Sequence, residues 1–172
     1  TLTHEGYPGH CYQITYEWTN HSSPLLAIMD FLGYTEGWAV YVEKVALEYS
    51  NISSADLRTV YWIGSNLFYE VMSVVDIMVN YEGADADDVD DYVAQYYGAG
   101  MGEDLFQLAK NDPAMYTSYG YGYYRMNNLC ETAKSKLGNK FDLKEYHQVV
   151  LDAGTCDFEY LEAAVNAYIK SK

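Results

Sequence analysis

Between Ser54 and Tyr81 the apolar positions Leu57, Tyr61, Gly64, Phe68, Val71, Val75 and Met78 recur every three or four residues, the spacing that lines one face of a helix. The pattern predicts one long helix over 54–81. Trp38, Val42, Val45 and Ala46 give the same signal over 36–49, and the Ser/Asn-rich stretch 50–54 reads as a stop and restart. Asp85, with Asp87 and Asp88 behind it, predicts a capped helix running to Tyr97, after which Gly98, Gly100 and Gly102 read as a break. Asp112 before Pro113 opens a helix that Gly138 closes. Asp142 with Glu145 opens another that Gly154 ends, and the last, over 157–169, buries Phe158, Leu161, Val165 and Tyr168. No segment sustains the two-residue alternation of a strand, and no internal repeat is present. The fold class is therefore all-α, a multi-helix domain with helices over 1–21, 36–49, 54–81 and 85–171.

Length changes this picture little: 172 residues suffice for one compact unit, 1–172, and are short for two. The first residues, Thr-Leu-Thr, have neither an initiator Met nor a signal-peptide pattern and read as a cut inside a longer protein. No apolar run reaches the roughly 20 residues of a membrane-spanning helix, so no membrane contact is expected of this segment. Charge is more selective. With 25 acidic against 10 basic side chains the net charge is -15, which argues against nucleic acid or an anionic membrane and favours a neutral or cationic ligand. Cys11, Cys130 and Cys156 are too few and too unevenly spaced for a disulfide scaffold or a Cys-x-x-Cys metal site, although one bridge is open to them. The 20 tyrosines recur at helical spacing and read chiefly as packing residues.

Candidate chemistry lies in residues 4–10, His-Glu-Gly-Tyr-Pro-Gly-His. This is the His-Glu-x-x-His zinc helix with two residues inserted. In the parent motif two histidines one turn apart bind zinc, and the Glu beside the first is the general base toward the metal's water. Here a regular helix, at about 100° per residue, would throw His10 to the far side. Pro8 forbids that regularity, because it has no N–H for the carbonyl of His4 and its ring crowds that carbonyl; Gly9 supplies loose backbone for a bulge or restart. His10 is the favoured second ligand beside His4. Cys11, seven residues from His4, is the alternative on an unbroken helix. Glu5 is the candidate base. A third ligand is offered by Glu36, at the start of the helix over 36–49, and Glu43, two turns later on the same face, is placed to orient a histidine. His21, beside Ser22, Ser23 and Pro24, reads as a loop residue, and His147 as one that packs or caps within its helix. The aspartates over 85–91 lack the Gly and terminal Glu of a calcium loop and read as a solvated helix start.

These segments in order, His-Glu-Gly-Tyr-Pro-Gly-His, Glu-Gly-Trp-Ala-Val-Tyr-Val-Glu, the Val-Val-Asp of the long helix, and Phe-Asp-Leu-Lys-Glu-Tyr-His with Leu-Asp-Ala-Gly, resemble successive motifs of the bacterial domain of unknown function 885. Members of that family include chains described as lipoproteins and look like glutamate-type helical zinc peptidases. The likeness runs through essentially all 172 residues and corresponds to the C-terminal portion of much longer family proteins. It implies a metallopeptidase with zinc on His4, His10 and Glu36 and with Glu5 as general base. It further implies a peptide substrate, an N-terminal helical half of the same protein as partner, and a cell-envelope or secreted location. Tyr124, beside Arg125, aligns with a family tyrosine and is a candidate donor to the oxyanion. Three departures stand out: Cys11 where a second His is expected, Asn80 four residues beyond Asp76 where a His is expected, and no arginine over 62–81. They keep open the alternative of a catalytically degenerate or incomplete domain with a binding or structural role.

Overall fold

The computed structural model describes residues 2–21, 28–29 and 31–172. Every regular element among them is helical: α1 (Leu2–Glu5), α2 (His10–Asn20), α3 (Leu32–Glu48), α4 (Ala55–Ile77), α5 (Ala86–Tyr97), α6 (Gly102–Asn111), α7 (Met115–Leu137), α8 (Leu143–Ala153) and α9 (Phe158–Lys170). The all-α reading holds. The chain start at Thr1, and Ser22, Ser23 and Pro24, lie outside the described residues.

Helix starts follow the expected capping chemistry. Asp85 accepts hydrogen bonds from the N–H groups of Asp87 and Asp88, and the Asp88 carboxylate in turn accepts one from the N–H of Asp85, a reciprocal capping box. Ser54, Asp142 and Asp157 each cap the helix that follows. The glycine-rich stretch after Tyr97 differs from its reading as a simple break. Gly98 and Gly100, at φ 84° and 101°, end α5, but Gly102 is already the first residue of α6, a helix the sequence reading did not contain. Asp90 makes this possible, since one of its carboxylate oxygens accepts from the backbone N–H groups of Gly100, Met101 and Gly102 at 2.7–2.9 Å. Likewise α7 begins at Met115 and not at Pro113, because Ala114 takes a left-handed φ of 65°.

The chain divides into two compact units, one of residues 1–49 and 122–172, the other of residues 50–121. In the second, Val71, Met72 and Val75 of α4 meet Val89 and Val93 of α5 and Leu105 and Ala109 of α6 in one buried cluster. Asp76 is buried there too, and accepts from Asn80 Nδ2 at 2.8 Å and Thr117 Oγ1 at 2.9 Å. Asn80 also donates to the Ala109 carbonyl at 2.9 Å, so it serves packing in that unit.

The first unit is built around α3, whose residues Trp38 to Val42 are all buried. Tyr34, Tyr41 and Tyr146 bury their rings in this core and satisfy their hydroxyls: Tyr34 on the Val150 carbonyl at 2.8 Å, Tyr146 on the Met126 carbonyl at 3.2 Å, and Tyr41 against Cys130 Sγ and His147 Nε2 at 3.2 and 3.0 Å. His147 packs edge-on against Trp38 and Tyr41. Burial, with a smaller effect of Lys134, holds its imidazole down from 6.5 to about 4, so it is neutral in the folded protein at pH 7. The unfolded chain takes up that proton near pH 6.5, and His147 therefore stabilises the fold above that pH and ceases to as pH falls toward 4, a loss of at most about 3 kcal/mol. Denaturant titrations at pH 7.5 and 4.5 are expected to give a smaller acid loss for His147→Leu than for the wild type; equal losses would refute the assignment.

Candidate metal centre

The site grows from a broken helix. The N–H of Gly6 still bonds to the Leu2 carbonyl at 2.9 Å, closing α1, and the N–H of Gln13 to the Gly9 carbonyl at 2.9 Å, opening α2. Between them the chain turns through Tyr7 and Pro8, joined by a cis peptide. Of the two ways Pro8 could break regularity, the structure takes the restart. Gly9 is required sterically: a Cβ there would lie 1.7 Å from the carbonyl oxygen of His4. The turn is held from α3, where Trp38 Nε1 donates to the Pro8 carbonyl at 3.0 Å.

The restart brings both histidines to Glu36. His4 Nε2 and His10 Nε2 each lie 3.3 Å from the same carboxylate oxygen, Glu36 Oε2, and the two rings meet edge to face at 85° with centroids 4.8 Å apart. Glu36 Oε2 is buried and has no hydrogen bond of good geometry from either imidazole, as if all three atoms faced a common point. Ligand atoms 2.0–2.2 Å from a tetrahedral zinc ion stand about 3.4 Å apart. The two measured separations match that spacing, and one ligand atom from each of His4, His10 and Glu36 falls within 4.8 Å of the others. Among the described residues these three form the one such cluster of His, Cys, Asp or Glu. The donor set of two imidazoles and one carboxylate, with a fourth position open, fits zinc.

Glu43 Oε1 is 3.2 Å from His4 Nδ1, the ring nitrogen turned away from Glu36. Burial by itself would lower the His4 imidazole, but pairing with Glu36 and Glu43 outweighs it and raises the group from 6.5 to about 9. Burial would raise the Glu36 carboxyl, and pairing with His10 and His4 outweighs that too, lowering it to about 2. Without an ion, His4 is thus a cation facing two carboxylates. Glu5 ends α1 beside His4 and is exposed. Cys11 is exposed and outside the cluster, since the restart changes the register on which its rivalry with His10 depended. All three cysteines are free thiols. Tyr124 is 55% exposed on α7, two residues beyond Gly122. His21 Nε2 contacts the Leu151 carbonyl at 3.0 Å and takes no part. Two contributors escaped the sequence reading: Trp38, which clamps the turn, and Gln13, buried one turn beyond His10 on α2. Spacing from His10 was the available signal for Gln13; none existed for Trp38.

An all-α domain that gathers His, His and Glu from two sequence segments is thereby defined. The chain belongs to the bacterial family of proteins of unknown function DUF885, whose profile matches residues 1–165. A crystal structure of a protein from Colwellia psychrerythraea, carrying the provisional description of a lipoprotein, is similar to it at 31% identity and a TM-score of 0.82. That match covers 98% of this chain but only 29% of the Colwellia chain, so the present chain spans less than a third of that protein's length. No curated protein matches it.

Glu36 owes its place to the close approach of α3 and α7: a Cβ on Gly37 would sit 2.5 Å from the Gly122 carbonyl carbon, backbone that has no side chain to swing aside. Gly37→Ala is expected to cost about 1–3 kcal/mol of stability, read from the denaturation midpoint, as overpacking does in a tight core. A stability equal to wild type would mean that the two helices can separate freely.

Proposed function

We propose that this chain carries the zinc centre of a metal-dependent peptidase. The observation behind the reading is the pair of 3.3 Å distances from His4 Nε2 and His10 Nε2 to one Glu36 oxygen. Zinc bound there would supply a water that ionises near neutral pH and would polarise the scissile carbonyl. The chain's own residues then divide the work. Glu5, exposed next to His4, takes the proton of the attacking water and passes it to the leaving amine. Glu43 holds His4 by its outer nitrogen. Tyr124, with its hydroxyl at the surface of the same unit, is the proposed donor to the developing oxyanion. The acidic surroundings suit a cation and a neutral or cationic peptide. The Colwellia protein's description supports a cell-envelope location for the whole protein. No described helix is long and apolar enough to cross a membrane.

One observation favours a second reading, an incomplete or binding domain: the chain spans 29% of the length of the Colwellia protein it resembles. Metal binding and turnover are for that reason tested separately.

Zinc must displace the His4 proton, which is held below about pH 9, so zinc affinity is expected to rise about tenfold per pH unit up to that point and then level. Competition titrations over pH 6–10 measure this; a flat profile would show that His4 holds no such proton against zinc. Alanine at His4, His10 or Glu36 should abolish stoichiometric zinc, while Cys11→Ser should leave it unchanged. For activity, Glu5→Gln is expected to keep zinc and lose about 10²–10⁴-fold in hydrolysis of a fluorogenic peptide library. Retained cleavage in that variant would remove Glu5 from the mechanism, and no cleavage by the zinc-loaded wild type would favour the second reading.

A further inference from the structure

We propose that Gln13 is a positioning residue for His10, its side-chain carbonyl accepting a hydrogen bond from Nδ1–H and so holding Nε2 toward the ion. The inference rests on the metal-centre reading and adds a residue to it. An imidazole that binds a metal through Nε2 is neutral and carries its proton on Nδ1, and a buried N–H needs an acceptor. His4 Nδ1 has the Glu43 carboxylate beside it at 3.2 Å, an ion-pair distance though not a hydrogen bond of good geometry. His10 Nδ1 is equally buried and has no hydrogen-bond partner.

Gln13 lies three residues further along α2, so its side chain shares the helix face of His10. It is 1% exposed, and neither of its amide atoms makes a hydrogen bond of good geometry. Its neighbours decide which way the amide points. The Tyr34 hydroxyl, which Gln13 adjoins, gives its proton to the Val150 carbonyl and can only accept from Gln13. The amide NH₂ therefore belongs to Tyr34, and the carbonyl is left for another donor. Glu17, next on that face, is engaged by Thr155 Oγ1 at 2.8 Å. A buried imidazole nitrogen and a buried amide, neither with a hydrogen bond of good geometry, thus stand one turn apart on α2, and a buried polar group is costly until it is paired. The two make no hydrogen bond of good geometry to each other, and a neutral His10 can carry its proton on either nitrogen. An ion held by Nε2 would leave that proton on Nδ1, where the Gln13 carbonyl would accept a hydrogen bond from it, directly or through one buried water.

The test is ¹⁵N imidazole NMR of the zinc-loaded protein together with zinc competition titrations of Gln13→Leu and Gln13→Glu. In the wild type the His10 proton is expected on Nδ1 and in slow exchange with solvent. Gln13→Leu should weaken zinc by about 10–100-fold and speed that exchange, whereas Gln13→Glu, which keeps an acceptor, should stay within about threefold of wild type. A His10 proton on Nε2 in the zinc-loaded wild type overturns the proposal whether or not the variants fold. So does unchanged affinity in Gln13→Leu, or equal loss in both variants, which would mark a packing role. A wild type that takes up no zinc, or a His10→Ala variant that binds it as tightly, overturns the metal centre itself and is separate from any failure of Gln13.

Discussion

The carbonyl oxygen of His4 leaves no room for a side chain at position 9, and the centre depends on that contact. An unbroken helix would carry His4 and His10 on opposite faces, about 240° apart. Pro8 stops the helix, Gly9 lets the chain fold back under the His4 carbonyl, and α2 restarts with His10 as its first residue. What fixes the angle of restart is outside the motif: the Trp38 indole on the Pro8 carbonyl ties the turn to α3, the helix that supplies Glu36 and Glu43. The two histidines and the two glutamates, from separate segments, are thereby registered against each other by a hydrogen bond that touches none of them.

The electrostatics of this cluster argue in the same direction as its geometry. A carboxylate between two imidazoles is costly to bury, and a buried ion pair seldom stabilises a fold more than an apolar pair of the same shape. Here the pairing is strong enough to reverse the effect of burial on both His4 and Glu36, and it sits in a chain of net charge -15. A purely structural pair would be expected to carry hydrogen bonds of good geometry, whereas Glu36 Oε2 has two imidazole nitrogens at 3.3 Å and no such bond. Pairing with Glu36 and Glu43 favours the protonated form of His4, which offsets part of the negative charge buried beside it.

Much of this was legible in the sequence. Helix periodicity marked α3, α4, α8 and α9 to within a few residues; α4, α8 and α9 start at capping side chains, and the stripe on α4 is buried at Val71 and Val75 while Leu57 and Tyr61 stay exposed. The His, His and Glu set could be read because Pro8 and Gly9 announce the break that makes it possible. Other features were beyond that reading for physical reasons. α6 starts at a glycine and depends on Asp90, twelve residues earlier in the chain, to cap its N–H groups, a partner that local patterns do not reveal. The Gly37 and Gly122 contact, and the choice between restart and bulge, are tertiary facts. Asn80 marked a departure from the expected family pattern, and its hydrogen bonds to Asp76 and Ala109 give that asparagine a packing role of its own.

The centre also separates two properties that are usually judged together. His4, His10, Glu36 and Glu43 all come from the first 43 residues and sit in one compact unit, with α7 packed against the ligand helix at Gly122. Affinity for an ion depends on ligand distances, burial and the orientation of each imidazole, all of which are internal to that unit. Turnover depends in addition on a wall that positions the peptide and excludes water, and effective positioning alone is worth several orders of magnitude in rate. This chain spans 29% of the length of its Colwellia relative, and for such a chain the two properties are separate questions. Zinc binding without measurable cleavage would therefore leave the metal centre standing while favouring a binding role over a catalytic one.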